Sequence, residues 1–225
     1  EKQILLYSRN ADIQKKIINF NWGGELRNTD RDYLSIVNSN LGGTKTDRSL
    51  ERSIELISSI DSEGTITNNL TYTVKNPLPN NPGLLNKSFI RIYVPQGSRL
   101  ISSSGFDNEI QLPRLNFDGY IRDEHVAEWE KDLSQDVVTG TYTGIEAGKT
   151  WFGNWLEVEG GQTKTITISY VLPFKLGNID RHSLLIQKQP GSKVGTINYE
   201  LSFAERSSLW NSSSSRIEGN QLKYN

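Results

Sequence analysis

The residues that could do chemistry in this chain are few and far apart. Cys is 0 and His is 2, which removes disulfides, thiolate metal sites and a Cys nucleophile and leaves little for a histidine metal centre. His182 has Asp180 two positions before it and Ser183 directly after it. Neighbours on a strand point apart, and no Gly-x-Ser-x-Gly elbow occurs, so sequence adjacency does not make these three a triad. Asp123, Glu124, His125, Glu128, Glu130 and Asp132 form an acidic cluster. Their oxygens would suit a hard cation such as Ca²⁺. The spacing matches neither a calcium loop nor a zinc helix, so the cluster reads as a solvated face and no metal ligand is assigned.

Asn40-Leu41-Gly42-Gly43-Thr44-Lys45 is superficially like a phosphate loop. It lacks the first Gly at the required distance and the Gly-Lys-Ser/Thr unit, and the residues after it are strand-like, so no helix N-terminus would cradle a phosphate. Asn40, Gly42, Gly43 and Lys45 therefore read as a structural loop. Trp151, Phe152 and Trp155 place three aromatics within five residues. On a strand Trp151 and Trp155 share one face and Phe152 takes the other. Burial in a sandwich core explains them; an exposed platform for a glycan, with Trp210 as a third contact, is the alternative. A carboxylate pair for glycoside hydrolysis can be far apart in sequence, so a glycan-acting hydrolase stays a further reading, although no acidic residue stands out. No cofactor motif is present.

The elements that must position these residues are mostly strands. Ile4 to Tyr7 is a short apolar run suited to a buried strand. Asn10 or Asp12 can cap a helix over Asp12–Phe20, with Ile13, Ile17 and Ile18 at helical spacing, Lys15 and Lys16 on the polar side and Gly23-Gly24 as the stop. Trp22 then packs back onto whatever the helix covers. Beyond it the period falls to two. Strands are expected at Tyr33–Val37, Ile54–Ile60, Thr65–Val74, Phe89–Val94, from Leu100, at Trp151–Val158, Thr163–Leu172, Ser183–Gln187 and Thr196–Phe203. Asp61-Ser62-Glu63-Gly64 is a hairpin turn, and Asn68 interrupts the otherwise apolar face of Ile66, Leu70, Tyr72 and Val74. Val126, Trp129 and Leu133 allow a short helix after Asp123. Trp151–Val158 and Thr163–Leu172 are expected to pair as a hairpin, with only one of Ile166 and Ile168 on the inner face. The absence of a strand-helix-strand repeat argues against a doubly wound sheet. The fold class is mainly β: an antiparallel β-sandwich, Ig-like or related, with one or two short helices. One β-rich domain spans 1–225, and the Ser-rich stretch opening 207–225 reads as a flexible tail or a loop before a last strand.

Lys and Arg total 25 and Asp and Glu 26, a net charge of -1, which gives the chain no electrostatic reason to seek nucleic acid or anionic lipid. No apolar stretch of eighteen residues occurs, so direct membrane insertion is not expected. With Met 0 and Glu1 first, the chain is expected to be a segment of a longer protein.

Several stretches carry a family resemblance. They are Trp22-Gly23-Gly24-Glu25-Leu26, Asn40 through Asp47 (Asn-Leu-Gly-Gly-Thr-Lys-Thr-Asp), Tyr93 through Leu100 (Tyr-Val-Pro-Gln-Gly-Ser-Arg-Leu), Lys149 through Gly153 (Lys-Thr-Trp-Phe-Gly) and Tyr170-Val171-Leu172-Pro173. In this order they resemble the C-terminal region of a bacterial cell-envelope family, the domain-of-unknown-function family four thousand and twelve. Its upstream part resembles LytR-type glycopolymer transferases. The resemblance implies an extracellular or envelope-facing module of a membrane-anchored protein. Any lipid- or phosphate-handling chemistry would belong to the upstream part. On this reading the chain is a non-catalytic spacer or docking surface. Its partners are the upstream domain of the same protein and an envelope glycan or protein.

Overall fold

The computed structural model describes residues 4–107, 118–177, 182–193 and 195–204, together with the backbone of Ser215–Glu218 and Gln221–Tyr224. Its elements are α1 (Ala11–Asn19), β1 (Asp32–Asn40), β2 (Glu51–Ile60), β3 (Thr65–Lys75), β4 (Asn86–Pro95), β5 (Arg99–Ser104), α2 (Glu124–Trp129), β6 (Ser134–Gln135), β7 (Tyr142–Glu146), β8 (Lys149–Val158), β9 (Thr163–Lys175), β10 (Leu184–Lys188), β11 (Thr196–Phe203), β12 (Ser215–Glu218) and β13 (Gln221–Tyr224). Two sheets form. One runs β10-β1-β4-β8-β7-β6 and the other β12-β13-β11-β2-β3-β9-β5. The fold is mainly β and sandwich-like. Both sheets are mixed, because β10 joins β1 and β11 joins β2 in parallel. Within the stretch expected as a tail, β12 and β13 pair as a hairpin and extend the second sheet from β11.

Alternation builds the core. Leu34, Ile36, Ile90, Ile92, Phe152, Leu156 and Val158 point inward from the first sheet; Ile54, Leu56, Leu70, Tyr72, Ile166, Ile168 and Tyr170 meet them from the second. Ile166 and Ile168 are both buried. The expectation that only one faces inward fails because residues two apart on a strand share a face.

A second correction concerns Trp151–Leu172. β8 pairs with β4 and β7, whereas β9 pairs with β3 and β5, so the two strands belong to opposite sheets and do not form a hairpin. Their connection is tied to the end of β3 instead: Gly161 N–H donates to Asn76 O (2.8 Å) and Asn76 N–H to Gln162 O (2.9 Å). At Gly160 a Cβ would sit 1.9 Å from Pro79 O, a close approach that only glycine permits. Strand-like stretches of eight and ten residues on either side of a Gly-Gly turn look alike whether the turn closes a hairpin or crosses between layers.

The expected strand at Ile4–Tyr7 is not formed either. The segment takes no regular secondary structure, and all four side chains are exposed, Ile4 to 75% and Tyr7 to 80%. α1 follows with Asn10 as its cap, the side-chain oxygen accepting from the N–H groups of Asp12 and Ile13. Among the described residues, no helix is long and apolar enough to cross a membrane.

Candidate functional site

The first sheet is apolar on both faces, which an antiparallel sheet with one solvated side would not be. On its outer face Tyr33, Tyr93 and Trp151 form a second buried cluster, with Phe89, Tyr142 and Leu185 packed against it. Phe89 on β4 meets Trp155 edge-on at 5.4 Å and Trp151 at 6.2 Å between ring centroids. The Arg91 guanidinium lies 4.8 Å over the Trp151 ring and donates to Glu146 Oε2 (3.0 Å), which also accepts from Tyr93 OH (2.7 Å). Burial and the Glu146 carboxylate push the Tyr93 phenol up to about 12. Gly144 lies flat on Trp151, and any side chain there would enter the indole at 2.7 Å.

This face opens into a cleft of 770 Å³ whose far wall is α2, with Val126 and Trp129. Trp129 is 75% exposed. The charges around the cleft are paired locally: Arg91 with Glu146, Lys131 with Glu128, and Arg122 with Glu130. The arrangement offers flat apolar rings and hydrogen-bonding side chains to a ligand, with the Asp132 carboxylate also on the lining. Of the sequence candidates, Trp151 and Trp155 do share this face while Phe152 enters the inter-sheet core. Trp151 is only 6% exposed, so it is a buried support rather than a platform, and it is buried outside the inter-sheet core. Trp155 is half-buried and edges the cleft. Trp210 lies outside the described residues.

The acidic cluster is spread along α2 rather than gathered. Asp123 Oδ1 caps the helix by accepting from the N–H groups of His125 (2.9 Å) and Val126 (3.1 Å); Glu128 and Glu130 serve the ion pairs just named; Glu124, His125 and Asp132 face solvent. Among the described residues no three potential metal ligands converge.

The Gly-Gly loop fastens β1 to β4. Leu41 and Gly42 N–H both donate to Lys87 O at 3.1 Å. The Asn40 side-chain amide donates to Thr44 O and to Asp47 Oδ2 (2.9 Å), and Thr44 Oγ1 to Leu85 O (2.5 Å). Gly43 takes φ +76°, Lys45 is exposed, and no helix follows.

One group went unseen in sequence. Asp32, at the start of β1, is buried and faces Asn68 across the sandwich; the Asn68 amide donates to Asp32 Oδ2 (2.8 Å) and to Tyr170 OH (3.1 Å), while its carbonyl accepts from Ser58 Oγ (2.6 Å). His182 Nε2 lies 3.4 Å from Asp32 Oδ2, with both side chains buried. Tyr199 OH lies 3.5 Å from the other ring nitrogen. Burial first, and the Asp32 charge second, raise the Tyr170 phenol well above its ordinary value. The signal was the break at Asn68: a polar residue on an apolar face needs buried partners. His182 thus pairs with Asp32, far away in sequence; Asp180 lies outside the described residues.

The second distinctive surface is the N-terminal limb. Ile4, Leu5, Leu6, Tyr7, Ile13, Ile18, Phe20 and Trp22 are all exposed. The limb is held to itself: Leu6 N–H donates to Trp22 O (2.9 Å), and the Phe20 and Trp22 rings lie 5.9 Å apart. α1 forms no substantial contact with either sheet.

No protein-family model matches the chain, and no curated protein matches it. Among solved structures it is similar to an M1 zinc metallopeptidase from Deinococcus radiodurans, at 11% identity and TM-score 0.29, over 79% of this chain and 38% of that one. A two-domain M1 zinc metallopeptidase mutant bound to L-arginine gives the same figures, 11%, 0.29, 79% and 38%. The chain thus spans well under half of each, and so loose a likeness carries no argument about fold or activity.

Proposed function

We propose that this chain is a non-catalytic β-sandwich module of a membrane-anchored cell-envelope protein, lying outside the cytoplasm and docking onto the domain that precedes it. The observation that carries the reading is the N-terminal limb, where eight large apolar side chains within nineteen residues stay exposed. Large apolar side chains left exposed and close together in the chain suit an interaction site. The resemblance of the Trp22–Leu26, Asn40–Asp47 and Tyr93–Leu100 stretches to the C-terminal region of the envelope family supports the same role, with any glycopolymer chemistry upstream. Replacing Phe20 and Trp22 together by Ser tests it. The isolated chain keeps its melting temperature, and the parent polypeptide loses the joint melting of the two domains. A parent whose melting is indifferent to the double substitution overturns the docking role.

The aromatic cleft supports a second reading, as a carbohydrate-binding module. Flat rings at Trp129 and Trp155 beside polar side chains suit a sugar, which stacks through its C–H faces and hydrogen-bonds through its hydroxyls. Titrating neutral envelope oligosaccharides against tryptophan fluorescence tests it, with Trp155→Ala and Trp129→Ala each expected to weaken binding about tenfold, in line with ring contacts of about 1–1.5 kcal/mol. Release of reducing ends that Glu146→Gln abolishes would replace it with the hydrolase reading.

A further inference from the structure

We infer that a cationic cleft at the end of the sandwich, separate from the limb and from the aromatic cleft, binds a multiply charged phosphate group. The cleft has a volume of 890 Å³ and is lined from both sheets, by residues of β2, β3, β9 and β11 and by Lys188 at the end of β10. Five of its lining residues are cationic, and Glu51 alone among them is anionic. Two of the cations are already neutralised. Lys75 Nζ lies 3.0 Å from Glu51 Oε2, and the buried Arg52 guanidinium donates to Asp47 Oδ1 (3.3 Å) and to Asp47 O (3.2 Å). The other Asp47 oxygen accepts from the Asn40 amide (2.9 Å), so both carboxylates are engaged. Arg48, Lys188 and Lys193 are exposed, and among the described residues none of the three has an ion-pair partner. A net charge of -1 for the whole chain therefore conceals a local excess of positive charge.

The fold holds these cations in place before any ligand arrives. Gln189, next to Lys188, is clamped to β1: the Asn38 N–H donates to its Oε1 (2.9 Å), and its Nε2 donates to Asn38 O (3.1 Å). Past Gln189 the chain turns, with Ser192 N–H donating to Gln189 O (3.2 Å), and Gly195 N–H donates to Arg52 O (2.8 Å). The loop carrying Lys193 is thus tied to the first sheet at one end and to β2 at the other, which lowers the ordering cost of binding. Ser53 and Thr196 sit opposite each other across the parallel join of β2 and β11. Both line the cleft, and among the described residues neither hydroxyl has a hydrogen-bond partner.

Charge complementarity selects the occupant. Like charges around one cleft repel, and an anion that meets all three removes that cost. A lone carboxylate brings one charge. A phosphate monoester or a pyrophosphate concentrates more than one on oxygens that also accept from hydroxyls, which matches three free cations beside Ser53 and Thr196. Among the described residues no aromatic ring lines the cleft. Nucleobases would find nothing to stack on, so single-stranded nucleic acid is the poorer match.

Calorimetric titration of the chain with inorganic pyrophosphate at low salt tests this. Saturable binding is expected, weakened about fivefold by Lys188→Gln and by Lys193→Gln and about 25-fold by both together, as for independent exposed charge contacts. The melting temperature of these variants should not change, because neither lysine has a partner to lose. Lys15→Gln with Lys16→Gln on α1 alters net charge equally and should leave binding as it was. Equal weakening by that pair would reduce the effect to overall charge and overturn the site. So would binding that the cleft variants do not touch, or none up to about 10 mM pyrophosphate. Malonate binding as tightly as pyrophosphate would overturn the phosphate class. Neutral-lipid vesicles doped with phosphatidic acid separate the two sources of such a group. Cosedimentation that the double cleft variant abolishes assigns the phosphate to a lipid headgroup, and pyrophosphate binding without cosedimentation assigns it to a soluble ligand.

Discussion

Ile166–Leu172 on β9 and Ile4–Tyr7 in the limb are both rich in apolar residues and opposite in fate. The first alternates, so Ile166, Ile168, Tyr170 and Leu172 are all buried between the sheets while the residues between them stay on the outer side. The second is apolar at every position and is buried at none. Alternation supplies one face for a core and one for water, so a strand of that kind is satisfied within a single sandwich. A continuous apolar run has no water face to spend, and a two-layer fold has no interior position for it at an edge. The difference shows that hydrophobicity places a segment only together with its period.

The comparison breaks first where burial is complete. Phe152→Ala should cost about 3–5 kcal/mol and Ile166→Ala or Ile168→Ala about 2–5 kcal/mol each, measured by denaturant unfolding, because each removes a side chain that is at most 2% exposed. The two isoleucines should be similarly sensitive. A small loss at either one would mean that β9 sits in another register.

Next comes the polar exception inside that core. Asn68→Ala leaves Asp32 Oδ2, Tyr170 OH and Ser58 Oγ without their shared partner, and should cost about 2–4 kcal/mol in the same assay. The loss should shrink in the Asn68→Ala, Asp32→Ala double variant, since the second change removes one stranded group. Full additivity of the two would show that they do not form one network.

Alkaline titration separates the same regions by proton linkage. Burial raises the phenols of Tyr33, Tyr72, Tyr170 and Tyr199, and burial with Glu146 raises that of Tyr93 to about 12. Above pH 10 the unfolded chain gives up protons that the folded chain retains, so the folded state loses stability as pH climbs from about 10 toward 12. Lys149 works the other way: burial lowers its ammonium, so its contribution improves as pH rises toward its ordinary value. Five tyrosines against one lysine give a net loss, and Tyr93→Phe should flatten the decline of the unfolding midpoint. An unchanged slope in that variant would remove Tyr93 from the account.

How much of this was legible in sequence follows from range. The helix at α1, the strands of the core and the shared face of Trp151 and Trp155 are local periodicities, and they could be read along the chain. The parallel joins of β1 to β10 and β2 to β11 bring together residues more than a hundred apart, and no local pattern encodes them. The Asp32–His182 pair has the same cause. The cleft needed Phe89, Tyr142, Trp129 and Trp155 from four elements, of which Trp155 alone was singled out for glycan contact. The turn at Gly160 was read as a hairpin because its glycines are equally suited to crossing between layers; the tie to Asn76 that decides the matter lies across the fold.

The smallest expected effect is the one that tests the comparison most directly. Leu5→Ser, Phe20→Ser and Trp22→Ser in the isolated chain should each change unfolding free energy by no more than about 0.5 kcal/mol, the range of ordinary surface substitutions. In the buried core, replacing residues of this size would cost several times as much. The near-zero value is informative because the side chains are large: a Trp that is 52% exposed and contributes nothing to its own fold has its work outside it. Losses of 2 kcal/mol or more would place the limb in the sandwich's own cooperative unit. The exposed apolar surface would then be a cost of folding this domain, and the argument for a neighbour on that face would lose its foundation.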